Sequence, residues 1–184
     1  MTEPVSWLFA YGSLMWHPDF PYVRRMTARL YGYHRRMCIV STDYRGSADA
    51  PGLVLGLDRG GSCQGVVFQI RDGDLDGVLA HTDARELSDD PPVYRRRILP
   101  AVTLEGTMRV FAYVVRREHA SYAGGLDDGT VFRMIRDARG RRGACRDYLR
   151  NTVEHLRELG IRDRRLESIA RRLGAERRLA PTAV

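Results

Sequence analysis

The hydrophobic period changes once along this chain, and that change does most to limit the folds open to it. Strand-like runs fill roughly the first two-thirds. Trp7-Leu8-Phe9-Ala10-Tyr11 is short, aromatic and apolar and stops at Gly12, as a buried strand before a turn does. Gly65-Val66-Val67-Phe68-Gln69-Ile70, set between Gly60-Gly61 and Asp72-Gly73, predicts a second strand. Met37–Val40 and Leu53–Leu57 are shorter candidates, and Ile98–Leu104 and Met108–Val115 flank Glu105-Gly106 as the arms of a hairpin. Among these strands, Asp72 stands where it would cap one helix carrying Leu75, Val78, Leu79 and Thr82, running out near Ala84–Glu86. Beyond Gly129 helical spacing takes over. Tyr148, Leu149, Thr152, Val153 and Leu156 recur at three and four residues until Gly160, and Asp163 is positioned to cap a last helix with Leu166, Ile169, Ala170 and Leu173 on one stripe. Strands first and helices last predict an α+β fold, not a doubly wound sheet. The tail 180–184 is expected to fray.

The 184 residues, 43% hydrophobic and 29% charged, suit one globular domain with its core over about residues 7–175. Met1–Trp7 contains Glu3 and Pro4 and lacks a basic start, so no signal peptide is expected. No run approaches the roughly 20 apolar residues of a membrane span. The expected location is the cytoplasm. Cys38, Cys63 and Cys145 lie far apart, as reduced thiols do, and the five histidines show no metal-ligand spacing, so neither a metal nor a cofactor is expected. All 30 basic residues are arginine, giving a net charge of +7. They are spread from Arg24 to Arg178, often as Arg-Arg pairs, and are mixed with acids. That distribution predicts a solvated basic surface attractive to small anions, not a nucleic-acid motif.

The turn after the first strand carries the most chemistry. Gly12 can adopt a positive φ and admit a ligand close to the main chain. Successive N–H groups there can form a nest for a carboxylate or phosphate, and the Ser13 hydroxyl can donate to the same oxygen. Gly-Ser is also an ordinary turn, and the segment is neither a Walker loop nor a dinucleotide fingerprint.

Tyr11-Gly12-Ser13-Leu14-Met15-Trp16 resembles the signature of the ChaC family of glutathione-specific γ-glutamylcyclotransferases. Further matches follow in the family's order. Ser41-Thr42-Asp43-Tyr44-Arg45-Gly46-Ser47 with Pro51-Gly52 resembles its Asp-x-Arg-Gly-Thr…Pro-Gly segment, and Gly65-Val66-Val67-Phe68 its Gly-Val-Ala-Tyr strand. Arg85-Glu86 is similar to the pair carrying the catalytic acid, and Tyr94-Arg95 to the tyrosine after it. Ser121-Tyr122, Gly140-x-x-Gly143…Tyr148-Leu149 and Glu158-Leu159-Gly160-Ile161-x-Asp163 resemble the C-terminal part. Two departures stand out: Leu87–Val93 replaces a shorter Gly-Gly segment, and Cys145 stands where members usually carry asparagine.

The resemblance implies a mixed β-barrel or sheet with peripheral helices and a helical C-terminal part. It implies cleavage of glutathione to 5-oxoproline and cysteinylglycine, with no cofactor or metal. Glu86 is then the general base and acid, and Tyr11, Gly12, Ser13 and Leu14 hold the substrate's α-carboxylate. Tyr94 would donate to the substrate or the oxyanion, while Arg85 is expected to point away from Glu86. Asp43, Arg45 and Tyr122 are further binding candidates. Arg45 would meet either the glycine carboxylate or Asp43, the internal pair being favoured, and Tyr122 would line the pocket or simply pack. Other γ-glutamyl amines or amino acids are alternative substrates, and a non-catalytic binder of acidic ligands or RNA is the rival of another class. Oligomeric state is left open.

Overall fold

The computed structural model describes residues 6–179, so the tail 180–184 lies outside the described residues. The chain forms two compact units, each drawn from two stretches. The first takes the chain up to Arg36 together with Leu55–Tyr122; the second takes Met37–Val54 and the chain from Ala123 onward.

Five strands close into a barrel in the order β1-β3-β2-β4-β5: β1 (Trp7–Ala10), β2 (Arg24–Ser41), β3 (Gly52–Gln69), β4 (Tyr94–Thr103) and β5 (Gly106–Val115). β1 pairs antiparallel with β3, Trp7 opposite Gln69 and Ala10 opposite Val66, and parallel with β5 at Leu8 and Phe111. β4 and β5 form the expected hairpin, with Thr103 opposite Gly106. Leu8, Phe9, Val67, Phe68 and Val110 are buried between the walls. Gly65 is fixed by a close approach, because a Cβ there would stand 2.3 Å from the Ala10 carbonyl oxygen and 2.6 Å from the Phe9 ring.

β2 and β3 are 18 residues each, far longer than the sequence predicted. Gly60 and Gly61, read as the boundary before the strand at Gly65, lie inside β3 with positive φ, as Gly32 does inside β2. Asp72 does not cap the first helix. Asp72–Asp74 forms a 3-10 turn, and α1 (Leu75–Glu86) follows with Val78, Leu79 and Thr82 buried as expected.

In the second unit, α2 (Asp128–Asp137) stands where helical spacing was expected to take over; Asp127 caps it by accepting from Thr130 N at 3.0 Å. A short ribbon of β6 (Arg139–Gly140) and β7 (Gly143–Ala144) leads into α3 (Cys145–Glu158). Gly160 ends that run at φ +69°, and Asp163 accepts from Leu166 N at 3.2 Å to open α4 (Arg164–Leu179). No helix among the described residues is long and apolar enough to cross a membrane.

Candidate active site

α1 ends on Glu86, and the packing of Val78, Leu79 and Thr82 fixes where that end lies. The Glu86 side chain keeps 20% of its surface exposed. Burial pushes its pKa above the ordinary glutamate range; the Arg85 guanidinium pulls it back and Asp19 raises it again, and burial prevails. A raised pKa makes an acid readier to hold and return a proton than a solvated glutamate.

β1 delivers the chain into a second element of the site. After Ala10 the backbone leaves the barrel and coils into a 3-10 turn at Ser13–Met15. Met15 N donates to Gly12 O at 2.9 Å, and Trp16 N and His17 N donate to Ser13 O at 3.2 and 2.8 Å. The N–H groups of Gly12, Ser13 and Leu14 have no acceptor among the described residues, the condition an anion nest requires. Gly12 does not use the positive φ expected of it: φ is −127°, and the helical turn at Ser13 reverses the chain instead. A Cβ there would meet only Leu55 Cδ1, at 3.7 Å.

Arg85 joins the two elements. Its Nη2 donates to Ser13 Oγ at 2.8 Å, its Nη1 to Asp19 Oδ2 at 2.9 Å, and its Nε lies 3.3 Å from Glu86 Oε1. The expectation that Arg85 points away is therefore overturned, because Ser13 and Asp19 draw the guanidinium across the face of Glu86. Ser13 Oγ accepts in this contact, which leaves its proton available to a ligand. Asp19 itself sits in the left-handed region at φ +45° and also approaches His81 Nε2 at 3.5 Å.

The turn is braced from beneath by a residue the sequence did not single out. Arg35, 5% exposed, donates from Nε to Tyr11 O and from Nη2 to Gln64 O at 2.8 Å, and touches Met15 Sδ at 3.8 Å. Arg25 adds a 3.4 Å contact to Met15 O. The solvated surface read into the Arg-Arg pairs does not extend to Arg35. Its signal was position: it lies in a strand where the neighbouring Met37 and Cys38 are buried.

Tyr94, at the start of β4, donates its hydroxyl to Leu55 O at 2.7 Å, and Leu55 is the residue facing Gly12. Tyr122 donates to Asp58 Oδ2 at 2.8 Å, and the half-exposed Arg117 donates from Nε to Oδ1 of the same buried carboxylate at 2.6 Å. Asp43 and Arg45 belong to the second unit and do not pair with each other. Asp43 is held by Arg141 at 2.7 Å, while Arg45 donates to Arg142 O and lies over the Tyr148 ring at 4.9 Å. The β6–β7 ribbon supplies both partners, which removes the internal ion pair expected from their spacing. Cys145 is fully buried; its Sγ donates to Leu53 O at 3.1 Å and accepts from Leu53 N at 3.4 Å, and burial pushes the thiol up to about 11. Donating and accepting at once is also what an asparagine amide does.

Residues 6–176 match the family described as ChaC-like protein. γ-Glutamylcyclotransferase 2-3 of Arabidopsis thaliana is 32% identical over 173 residues, covering 89% of this chain and 86% of that protein. Glutathione-specific γ-glutamylcyclotransferase 1 of Mus musculus is 30% identical, covering 91% and 78%. The glutathione-specific γ-glutamylcyclotransferase of Escherichia coli is 29% identical, covering 88% and 69%. A yeast γ-glutamyl cyclotransferase specific to glutathione shares the fold, with a TM-score of 0.81 over 96% of this chain and 98% of that one at 18% identity.

Proposed function

The chain belongs to the ChaC-like family, and on that premise we propose that it is a glutathione-specific γ-glutamylcyclotransferase with Glu86 as its general base and acid. The substrate supplies both reacting groups. Its α-amine attacks its own γ-carbonyl, a C–N bond closes the five-membered ring of 5-oxoproline, and the bond to the cysteinyl nitrogen breaks to release cysteinylglycine. An intramolecular attack held in near-attack geometry lowers the barrier by about 7–11 kcal/mol in favourable cases. What remains is proton transfer. The ammonium loses a proton to Glu86 before the amine attacks, and that proton goes to the departing nitrogen; the ring nitrogen then gives its second proton to Glu86, which returns it to the released amine as that becomes ammonium.

The N–H groups of Gly12, Ser13 and Leu14 hold the α-carboxylate, with the Ser13 hydroxyl beside them, and so fix the amine near Glu86. The phenol of Tyr94 gives its proton to Leu55 O, so its oxygen meets substrate as an acceptor, suited to the ammonium. The single observation that carries this reading is the Arg85 guanidinium, which touches both Ser13 and Glu86. Anion nest and acid thus stand within the span of one side chain. The reaction needs no partner but the small-molecule substrate. A cytoplasmic site for it agrees with three buried cysteines that form no disulfide.

Release of 5-oxoproline from a panel of glutathione, γ-glutamyl amino acids and γ-glutamyl amines tests the substrate. Glutathione is expected to be turned over with the highest kcat/KM; a γ-glutamyl amine that outperforms it would move the assignment to the alternative substrates.

A further inference from the structure

Several surface arginines of this chain are answered by a close acid: Arg24 by Glu105 at 2.6 Å, Arg96 by Asp83 at 2.7 Å, Arg141 by Asp43 at 2.7 Å. A hollow in the second unit departs from that pattern. It has a volume of about 390 Å³ and is lined, among the described residues, by Arg157, Arg162, Arg164, Glu167 and Arg171, four guanidinium groups to one carboxylate. The local fold brings them together. Arg157 lies in the last turn of α3, Arg162 follows the Gly160 stop, and Arg164 opens α4. Arg171, seven residues on, returns to the face of Arg164 after two turns.

Glu167 forms only long ion pairs with two of these cations and leaves their hydrogen-bond donors open. Arg157 Nε stands 4.0 Å and Arg162 Nη2 3.7 Å from Glu167, both beyond hydrogen-bond reach. No described side chain forms an ion pair or hydrogen bond with Arg164 or Arg171. Glu167 is also the deeper group, 13% exposed against 56% for Arg157 and 77% for Arg162. Glu167 offsets only part of the charge of four neighbouring guanidinium groups, and an anion from outside would offset more of it. A lone carboxylate or halide would engage one fork and be repelled by Glu167. An oligophosphate has two or more charged groups that reach across the rim, and phosphate oxygens match the planar guanidinium fork two at a time.

We propose that this hollow is a binding site for an oligophosphate, with Arg164 and Arg171 on one phosphoryl group and Arg157 and Arg162 on the next. The phosphates are free pyrophosphate or the tail of a nucleotide. The site is independent of the cyclotransferase reading.

Calorimetric titration of the full chain with inorganic pyrophosphate, at about 0.15 M salt where charges are screened beyond about 8 Å, tests it. One saturable site is expected, weakened at least about tenfold in the double variant Arg164→Gln/Arg171→Gln. Glu167→Gln removes the resident carboxylate and should tighten binding several-fold, a gain that misfolding could not produce. Arg141→Gln, which removes the same charge elsewhere, should leave the affinity unchanged. ATP should bind about as well as pyrophosphate, since phosphates alone are read. Absence of saturable binding overturns the proposal. So does equal loss in Arg141→Gln, weaker binding by Glu167→Gln, or ATP binding where pyrophosphate does not.

Discussion

Asp58 and Glu86 are carboxylates of the same unit, and the less solvent-exposed of the two is the one whose pKa is lowered. Asp58 on β3 keeps only 1% of its side-chain surface exposed, yet its pKa lies below the ordinary aspartate value. Glu86 keeps 20%, yet its pKa lies above the glutamate value. Burial is the largest single influence at both and raises both. At Asp58 it is outweighed by donors aimed at the carboxylate: Arg117 at 2.6 Å, Tyr122 at 2.8 Å and the Arg59 N–H at 2.8 Å. At Glu86 the opposing group is the Arg85 guanidinium at 3.3 Å, and Asp19 cancels part of its effect. Solvent exposure alone therefore does not set a carboxylate's acidity. The number of donors supplied to it does.

The largest expected effect separates the two by function. Glu86→Gln should lower kcat for 5-oxoproline release by at least about 10²-fold, the usual scale of a lost general acid–base group. Full activity in that variant would remove Glu86 from the mechanism. Asp58→Asn tests the other side. One face of the amide would present an N–H to groups that are themselves donors, so urea unfolding should show a loss of about 1–3 kcal/mol. The lowered pKa of Asp58 means its contribution is present above the unfolded value of 3.8 and disappears as pH falls through the folded value. The gap between wild type and variant should accordingly narrow in acid. A gap of constant size would place the stabilisation in packing and not in charge.

How much of this was legible in the sequence differs between the two carboxylates. Glu86 was reachable, because Arg85-Glu86 ends a helix whose apolar spacing shows where it stops, and because the family pattern repeats around it. The Tyr11–Leu14 turn was reachable for the same reason, as were the hairpin at Glu105-Gly106 and the caps at Gly160 and Asp163. Asp58 was invisible, since its partners Arg117 and Tyr122 are about sixty residues away and only the closure of the barrel brings them to it. Arg35 and Asp19 were missed likewise: one needs the strand's inward register, the other a left-handed backbone and a contact across 66 residues. Local patterns reveal turns, caps and helix ends. Long-range partners, which set acidity, appear only with the fold.

Arg85 and Asp19 sharpen the comparison by moving Glu86 in opposite directions. Removing the guanidinium in Arg85→Gln takes away the influence that lowers the Glu86 pKa, so the acid limb of the kcat/KM profile should move to higher pH. Activity at neutrality should also fall about tenfold, because Ser13 loses its link to the acid. Asp19→Asn removes an influence that raises the pKa, and its acid limb should move to lower pH. Shifts of the same sign in both variants would show that Glu86 is not the group titrating.

The smallest effect concerns stability at Glu86 itself. Its folded pKa is raised above the ordinary glutamate value of 4.5, so the stabilisation belongs to the protonated form. That contribution is complete below the unfolded pKa and is lost as pH rises through the folded value. At neutral pH the ionised carboxylate thus weighs against the fold, and a permanently neutral glutamine restores what was lost. Glu86→Gln should melt about 1–3 °C higher than wild type at pH 7, the shift that about 1 kcal/mol or less produces in a chain of this size. The advantage should vanish as the pH is lowered below the ordinary glutamate range. A variant that melts lower at neutrality would mean that the Arg85 contact outweighs burial, and Glu86 would then be supplied with charge in the manner of Asp58.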